Sequence, residues 1–437
     1  MKQKKAMPKI AVIGAGWAGL AAAVRLSDKA QVSLFEAGKQ AGGRARTLRG
    51  GVDGFDKLDN GQHILVGAYH GVRSVLKQIG VDSEQAFVQL PMQWYLADSI
   101  RFKAAVLPAP LHIVAGVLFG RQFAFAEKIK LLNDMQGLKK WASVQLPDIS
   151  VADWLNSRRI SREMTASFWQ PLVWGALNTP LEQASLRMLT NVLNDGVWAD
   201  KQGSDYWLPR QDLGAIMADP ATMYLEKRGC SLHFGKRVGQ LSQHENGSVI
   251  VDGECFDAVI VAVAPYHALA LMPSETPEFI QAAYRNIQYH VITTVYLRYA
   301  EAVNLPAVMT GLAYGTAQWL LDRGKLGFSE REVAAVISVS NAVGEGYSND
   351  EWIRRVHADI KQICPHIGVP LASRVITEKR ATAASTVNRS LPDLAWLHHQ
   401  KIYPAGDYLH PRYPATLEAA VQSGLASASL CLNDLNC

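Results

Sequence analysis

Between Lys9 and Leu26 the chain reads KIAVIGAGWAGLAAAVRL, a short apolar β-run, three spaced glycines and an alanine-rich helix. Gly14, Gly16 and Gly19 form G-x-G-x-x-G. The first permits a tight turn, the second lets backbone approach a pyrophosphate, and the third lets the helix pack close against the strand. The helix start then aims free N–H groups at phosphate, which brings the backbone of Trp17 and Ala18 into the expected binding set. A second β-run, QVSLFE, ends at Glu36. About twenty residues beyond the second glycine is where a carboxylate hydrogen-bonds adenosine ribose hydroxyls. A carboxylate there also disfavours a 2′-phosphate, leaving NAD or FAD. The three glycines alone fit any tight strand-to-helix turn; the acid at this offset gives them a nucleotide reading.

A chain of 437 residues exceeds the usual size of one core and has volume to enclose a large ligand. With 49% hydrophobic and 19% charged residues it is apolar for a soluble protein, yet it lacks the unbroken runs of an integral membrane protein. The net charge of +5 is spread along the chain, with no basic block beyond Lys2, Lys4 and Lys5. Nucleic acid is therefore excluded as the expected partner, and contact with an anionic membrane surface is left open. Five cysteines, Cys230, Cys255, Cys364, Cys431 and Cys437, are scattered without a CxxC pair, so no metal site is expected and free thiols in the reducing cytoplasm are the simpler reading. The basic start followed by IAVIGAGWAGLAAAV imitates a signal peptide, but the glycine spacing argues against cleavage.

Three further segments carry chemistry. EAGKQAGGRARTLRGG, Glu36 to Gly51, follows Ala37 with Gly42, Gly43, Arg44 and Arg46, a loop fit to approach a diphosphate and offset its charge. YPAGDYLHPRYPATLEAAVQSG breaks a strand at Gly406, places Asp407 in the turn and starts a helix near Ala415, with Thr416 as N-cap, then Leu417 and Glu418 in the first turn. Between them, KRVGQLSQHENGSVIVDGECFDAVIVAVAP holds hairpin signals at Asn246-Gly247 and Asp252-Gly253. From Pro91 to about Asp200 the texture turns aromatic and helical, as in a cap, with Trp154, Phe168, Trp169, Leu172, Val173 and Trp174 as candidate tunnel lining or plain core. AAVLPAPLHIVAGVLFG, Ala104 to Gly120, is too short and too interrupted to span a bilayer; it reads as tunnel lining or a monotopic membrane patch. VITTVYLRY and EVAAVISVS alternate as half-buried strands of a second sheet.

The E-x(5)-GGR-x-R run resembles that of the flavin amine oxidase and phytoene desaturase superfamily, and that resemblance carries the step from NAD to FAD. It implies that the Gly-Asp turn meets the ribityl and phosphate portion, that the following helix start abuts the isoalloxazine, and that Val238 gives its backbone to the adenine. The FAD is expected to be non-covalent, since no cysteine lies near the Gly-Asp turn. LDNGQHILVGAY, FWQPLVWGALNTP and the Gly-Asp segment together look like the squalene-associated FAD-dependent desaturase group. That likeness extends over nearly the whole chain. It implies reductive dehydroxylation of hydroxysqualene, a long-chain isoprenoid, to squalene in bacterial squalene and hopanoid synthesis, in association with prenyltransferase-like enzymes of that pathway.

On this reading Asn60, Gly61, Gln62 and His63 face the flavin and the polar head of the substrate, with Trp169, Trp174 and Arg412 along its path. His63 is the leading general acid, because imidazole titrates near neutrality; Gln62 stands beside it, and Tyr408 and His410 compete. The plainer fate of such a histidine is to cap a helix or satisfy a buried carbonyl. No second GxGxxG appears, so an external donor such as NAD(P)H reaches the flavin directly or through a redox partner. The expected architecture is α/β: a discontinuous Rossmann-like FAD-binding domain (1–90, 201–270, 376–437) interleaved with an α+β substrate domain (91–200, 271–375) of mixed sheet and helical cap. Localisation is expected to be cytoplasmic, or peripheral on the inner face of the cytoplasmic membrane. Rival readings are a desaturase of a C30 or C40 polyene, an amine oxidase and a non-catalytic prenyl-lipid-binding flavoprotein.

Overall fold

Strands Lys9–Ile13, Gln31–Glu36, Ser231–Phe234, Ala258–Val261 and Ile402–Pro404 pair in parallel as one five-stranded sheet, with Lys9–Ile13 at its centre. The chain is seen here in a computed structural model that describes residues 7–48, 54–55, 57–144 and 146–436; Lys2, Lys4, Lys5, Gly51 and Cys437 lie outside them. The central strands are apolar on both sides because both faces are covered, one by helix Trp17–Leu26 and the other by the antiparallel strands Val249–Val251 and Glu254–Phe256 with helices Pro265–Leu271 and Glu278–Arg285. Helix Trp17–Leu26 lies on one face, and the C-terminal helix Leu417–Asp434 packs against it. The approach is tight: a Cβ added at Gly424 would sit 2.1 Å from the carbonyl oxygen of Ala18, and one at Gly19 would sit 1.8 Å from that of Gly14. Only glycine permits either contact.

A second, antiparallel sheet runs Met309–Gly311, Trp319–Asp322, Glu332–Ser338, Tyr289–Arg298, Ala372–Ala383. Successive side chains leave opposite faces of a strand. Val295 and Leu297 therefore meet Trp352, Val356 and Ile360 of helix Asn349–Ile363, while Tyr296 faces an aromatic core holding Trp94, Phe168 and Trp169. That core underlies a helical cap between residues 111 and 198, interrupted by π-helical turns at Thr165–Trp169 and Asn194–Trp198. A three-stranded sheet of Leu65–Val66, Tyr206–Pro209 and Phe87–Leu90 stands between the two halves.

Two expected domain limits move. The limit at 375 falls inside strand Ala372–Ala383, which pairs with Tyr289–Arg298 from Ala372 to Ala383 and so belongs with the second sheet. The stretch after 271 stays with the nucleotide side, because Met272, Ile280 and Tyr284 pack into the core that holds Val261 and Ile402. Alternation along a strand marks its faces but not which sheet it joins.

Candidate active site

The glycine turn and the Gly-Gly-Arg loop lie side by side. Gly42 donates its N–H to the carbonyl of Ala15 at 2.8 Å, and Gly16 and Gly42 bridge in parallel. A Cβ on Gly43 would come within 3.0 Å of the Gly16 Cα, so the two segments meet backbone to backbone. Trp17 fastens the arrangement by donating Nε1–H to the carbonyl of Ala45 at 3.1 Å, and Ala18 and Gly19 follow it in the first helical turn. Glu36 accepts the N–H of Ala15 at 2.8 Å on one oxygen and that of Gly38 at 2.7 Å on the other, leaving a lone pair on each for a further donor. Ala37 beside it is exposed. The stretch leading to Val238 is laid along this strand end by Gly235 N–H to Gly38 and Lys236 N–H to Glu36. Val238 is buried, and its N–H and C=O have no hydrogen-bond partner among the described residues.

An ion pair brings the distant chain end to this loop. Arg44 grips both oxygens of Asp407, at 2.7 and 2.8 Å, and donates to the carbonyl of Ala381 at 2.7 Å. Burial opposes the guanidinium charge, but Asp407 outweighs it and holds Arg44 above its ordinary pKa. Next in the chain, Gly406 donates its N–H to Ser423 Oγ at 3.0 Å. Thr416 caps the C-terminal helix by accepting the N–H of Ala419 at 3.2 Å, with Ala415 and Leu417 on either side of it. Glu418 does more than complement its own helix: it is buried and accepts the first-turn N–H groups of Gly71 and Val72, at 2.7 and 2.9 Å, in helix His70–Gln78.

The Asn60–His63 segment runs along the inner side of the same loop. Asn60 Nδ2 donates to the carbonyl of Arg44 at 3.1 Å and so shapes the loop. Gly61 takes φ +102, and a Cβ there would reach 3.5 Å from Thr294 Oγ1 of the second sheet. Gln62 is buried, with one long contact of 3.5 Å from Nε2 to the carbonyl of His63. His63 Nδ1 lies 3.0 Å from the carbonyl of Gly61, a bond that assigns the proton to Nδ1 and a lone pair to Nε2. Burial lowers its pKa, the Gly61 bond opposes this and the charge of Arg44 adds to the lowering. The lowering favours the neutral imidazole at rest, so a proton given by this nitrogen must first be taken up.

Other expected residues are spent elsewhere. His410 Nδ1 accepts the N–H of Tyr413 at 2.9 Å and that of Arg412 at 3.2 Å, so Nε2–H must donate to Gln422 Oε1 at 2.9 Å. Both nitrogens are occupied. Tyr408 is buried against Tyr284, 3.5 Å between hydroxyl oxygens, and burial raises its pKa well above the ordinary value. Arg412 pairs in bidentate fashion with Asp195 at 2.8 and 2.9 Å. Trp169 is fully buried between Trp154 and Phe168, which makes it core rather than tunnel wall. Trp174 is half-buried and its Nε1 has no partner among the described residues.

The site also holds groups with no motif to announce them. Arg389 donates Nη2–H to the carbonyl of His410 at 2.6 Å, yet its buried Nη1 is unpartnered among the described residues. Tyr289 OH and both ring nitrogens of His290 are likewise buried without partners, on the strand positions that pair with Ala383 and Thr382 next to Ala381. Buried polar groups are normally satisfied, so the orphans of Tyr289 and Arg389, which lie within reach of the charge of Asp407, ask for a polar occupant. Bare glycine backbone at one end and unspent donors at the other fit a flavin dinucleotide. Gly14, Gly16, Trp17, Ala18, Gly19 and Gly43 would hold its diphosphate, Glu36 its ribose, Val238 its adenine, and the region of Arg44, Gly406, Asp407 and Ala415–Leu417 its flavin portion.

The family described as flavin containing amine oxidoreductase matches residues 17–432. The chain belongs to this family. Across it, the protein is 27% identical to the hydroxysqualene dehydroxylase of Zymomonas mobilis subsp. mobilis, covering 97% of this chain and 98% of that one. It is also 27% identical to the hydroxysqualene dehydroxylase of Rhodopseudomonas palustris, over 96% and 97% of the two chains. In structure it is similar to the cyclohexylamine oxidase of Brevibacterium oxydans IH-35A, with a TM-score of 0.72 and 15% identity over 99% of this chain and 100% of the other. Membership and geometry agree on a flavin-dependent oxidoreductase with FAD as its cofactor. No helix among the described residues is long and apolar enough to cross a membrane.

Proposed function

We propose that the protein replaces the hydroxyl of hydroxysqualene by hydrogen, giving squalene and water. The observation that carries this reading is the full-length likeness to relatives of that name, joined to a site with one polar cluster against an apolar interior. The balance is simple: the allylic alcohol takes up a proton and a hydride equivalent and releases water. Reduced FAD, when bound, supplies the hydride. The chain has to position a long hydrocarbon, keep water away from an allylic cation and deliver one proton.

His63 suits the last task in a specific way. Its Nε2 lone pair accepts the substrate hydroxyl as a hydrogen-bond donor; once protonated, the same nitrogen returns the proton to the departing oxygen. Because burial and Arg44 depress its pKa, that protonated form is reached on the acid side of the ordinary histidine range. The external electron source, NAD(P)H or a redox partner, and the association with prenyltransferase-like enzymes of squalene and hopanoid synthesis belong to the same proposal.

The test is anaerobic mixing of photoreduced protein with hydroxysqualene. Flavin reoxidation with one squalene formed per flavin supports the reading. A reduced flavin that stays reduced sinks it. Bleaching of the oxidised protein by a polyene or by an amine identifies a desaturase or an amine oxidase instead.

A further inference from the structure

The Ala104–Ile129 surface exposes large apolar side chains that the interior does not use. Val106 is 89% exposed, Phe119 85%, Phe125 70% and Leu111 53%, with Leu107 and Ile129 close by in sequence. Scattered apolar residues on a surface need no explanation, but a contiguous patch does.

The patch is built rather than frayed. Helix Leu111–Leu118 buries Ile113 and Val117 in the aromatic core and turns Leu111 outward, with Phe119 at its C-cap. Ala105 N–H donates to the carbonyl of His112 at 2.9 Å, and Lys128 Nζ donates to the carbonyls of Leu118 and Gly120 at 3.0 and 2.7 Å. Arg101 and Arg121 bridge through their backbones. On the next helix, Phe125 and Ile129 lie one turn apart and so on one side.

The charge around the patch says what covers it. From Arg101 to Lys130 the basic residues are Arg101, Lys103, Arg121, Lys128 and Lys130, against Glu127 alone. Lys130 is tied to Asp134, whereas Lys103 and Arg121 are exposed and form no ion pair among the described residues. A two-fold contact between copies would bring this basic rim onto itself. An anionic bilayer meets both features at once, with apolar side chains at the acyl boundary and basic ones among the headgroups. An eight-residue helix, about 12 Å long, can lie in such an interface and cannot cross it.

We infer that residues 104–129 dock the protein on an anionic lipid surface, with Val106, Leu111, Phe119 and Phe125 inserted. This deepens the proposed reaction by letting an apolar substrate enter from the lipid, yet lipid binding is read without turnover, so either can fail alone. The test is co-sedimentation of the flavin-loaded protein with sucrose-filled vesicles, of phosphatidylcholine alone or of roughly 7:3 phosphatidylcholine to phosphatidylglycerol. The protein is expected to pellet with the mixed vesicles, less so as salt rises. Phe119→Asp with Phe125→Asp should lower the partition at least about ten-fold with flavin content and thermal midpoint unchanged, and Lys103→Glu with Arg121→Glu should erase the preference for phosphatidylglycerol. The inference is overturned if the parent protein stays in the supernatant, or if the phenylalanine variant pellets equally well. A micromolar dimer dispersed by the same two substitutions, without vesicle binding, would overturn it in favour of a second copy.

Discussion

The nucleotide half and the substrate half are held together by opposite means. Around the parallel sheet, small residues let backbones touch: Gly424 on Ala18, Gly19 on Gly14, Gly43 on Gly16. Around the second sheet and cap, large rings fill the space, with Trp94, Phe168, Trp169 and Trp319 in mutual contact or one ring removed. Backbone contacts have no slack, because an added atom meets carbonyl oxygen or Cα; ring contacts can shift by rotamer changes. The first half should fail abruptly on substitution and the second gradually.

Gly424→Val is the sharpest way to break that comparison. Its Cβ would fall 2.1 Å from the Ala18 carbonyl oxygen, so the helix pair must separate. The expected result is loss of at least ~3 kcal/mol, with little soluble flavoprotein recovered. Trp169→Phe changes a fully buried side chain by as many heavy atoms yet is expected to leave a folded, yellow protein. If the two variants melted within a few degrees of each other, the contrast between the halves would be wrong.

Arg44→Met comes next. It leaves buried Asp407 without its bidentate partner and removes a cation from the flavin end of the site. FAD affinity should fall about 100-fold, roughly 2.7 kcal/mol, read by titrating the apoprotein with FAD. Unchanged affinity would mean that the Arg44–Asp407 pair serves only to fasten the two chain ends.

A smaller effect is expected from His63→Gln, on the order of 10- to 100-fold in single-turnover rate with flavin content held. Its signature is the pH profile. The parent rate should keep rising as pH falls below the ordinary histidine pKa, because the folded value is depressed, and the variant should lose that rise. A parent rate flat from pH 5 to 8, roughly the range of histidine titration, would remove His63 from the proton path.

Which parts of the site could be read from the chain follows from the same contrast. Gly14, Gly16, Gly19, Glu36, Gly43 and the Thr416 cap occupy positions where few residue types are tolerated, so their spacing carries information. Tyr289 and Arg389 sit on ordinary strand and turn positions, and only the fold brings their unpaired groups near Asp407. Trp169 and Trp174 looked alike, yet a π-helical turn ends at Trp169 and shifts the helical phase between them. Arg412 looked free because its partner, Asp195, is 217 residues away in another π-helical turn. Alternation also failed to tell the strand Ala372–Ala383 from the nucleotide domain, since period two is the same in either sheet.

Asp59 sharpens the comparison at the seam where the halves meet. Its Oδ1 accepts the N–H of Leu213 at 3.0 Å and lies 3.2 Å from Thr47 Oγ1, whose hydroxyl donates to Asp212 at 2.6 Å. Burial raises its pKa to about 7, with Asp212 adding to the rise and Leu213, Thr47 and Arg323 opposing it. The folded protein therefore binds a proton that the unfolded chain releases near pH 4, where an unperturbed aspartate titrates. Stability from this group is fullest at or below that pH, declines as pH rises through about 7, and is flat beyond. Asp59→Asn keeps an acceptor for Leu213 and replaces the acid hydrogen by an amide hydrogen, so it imitates the protonated state. At pH 8 the variant should be more stable than the parent by about 1 kcal/mol, with the two closer at pH 5, judged from urea midpoints. Curves that run parallel across that range would mean Asp59 is ionised throughout, and that the seam carries a buried charge balanced by Arg323.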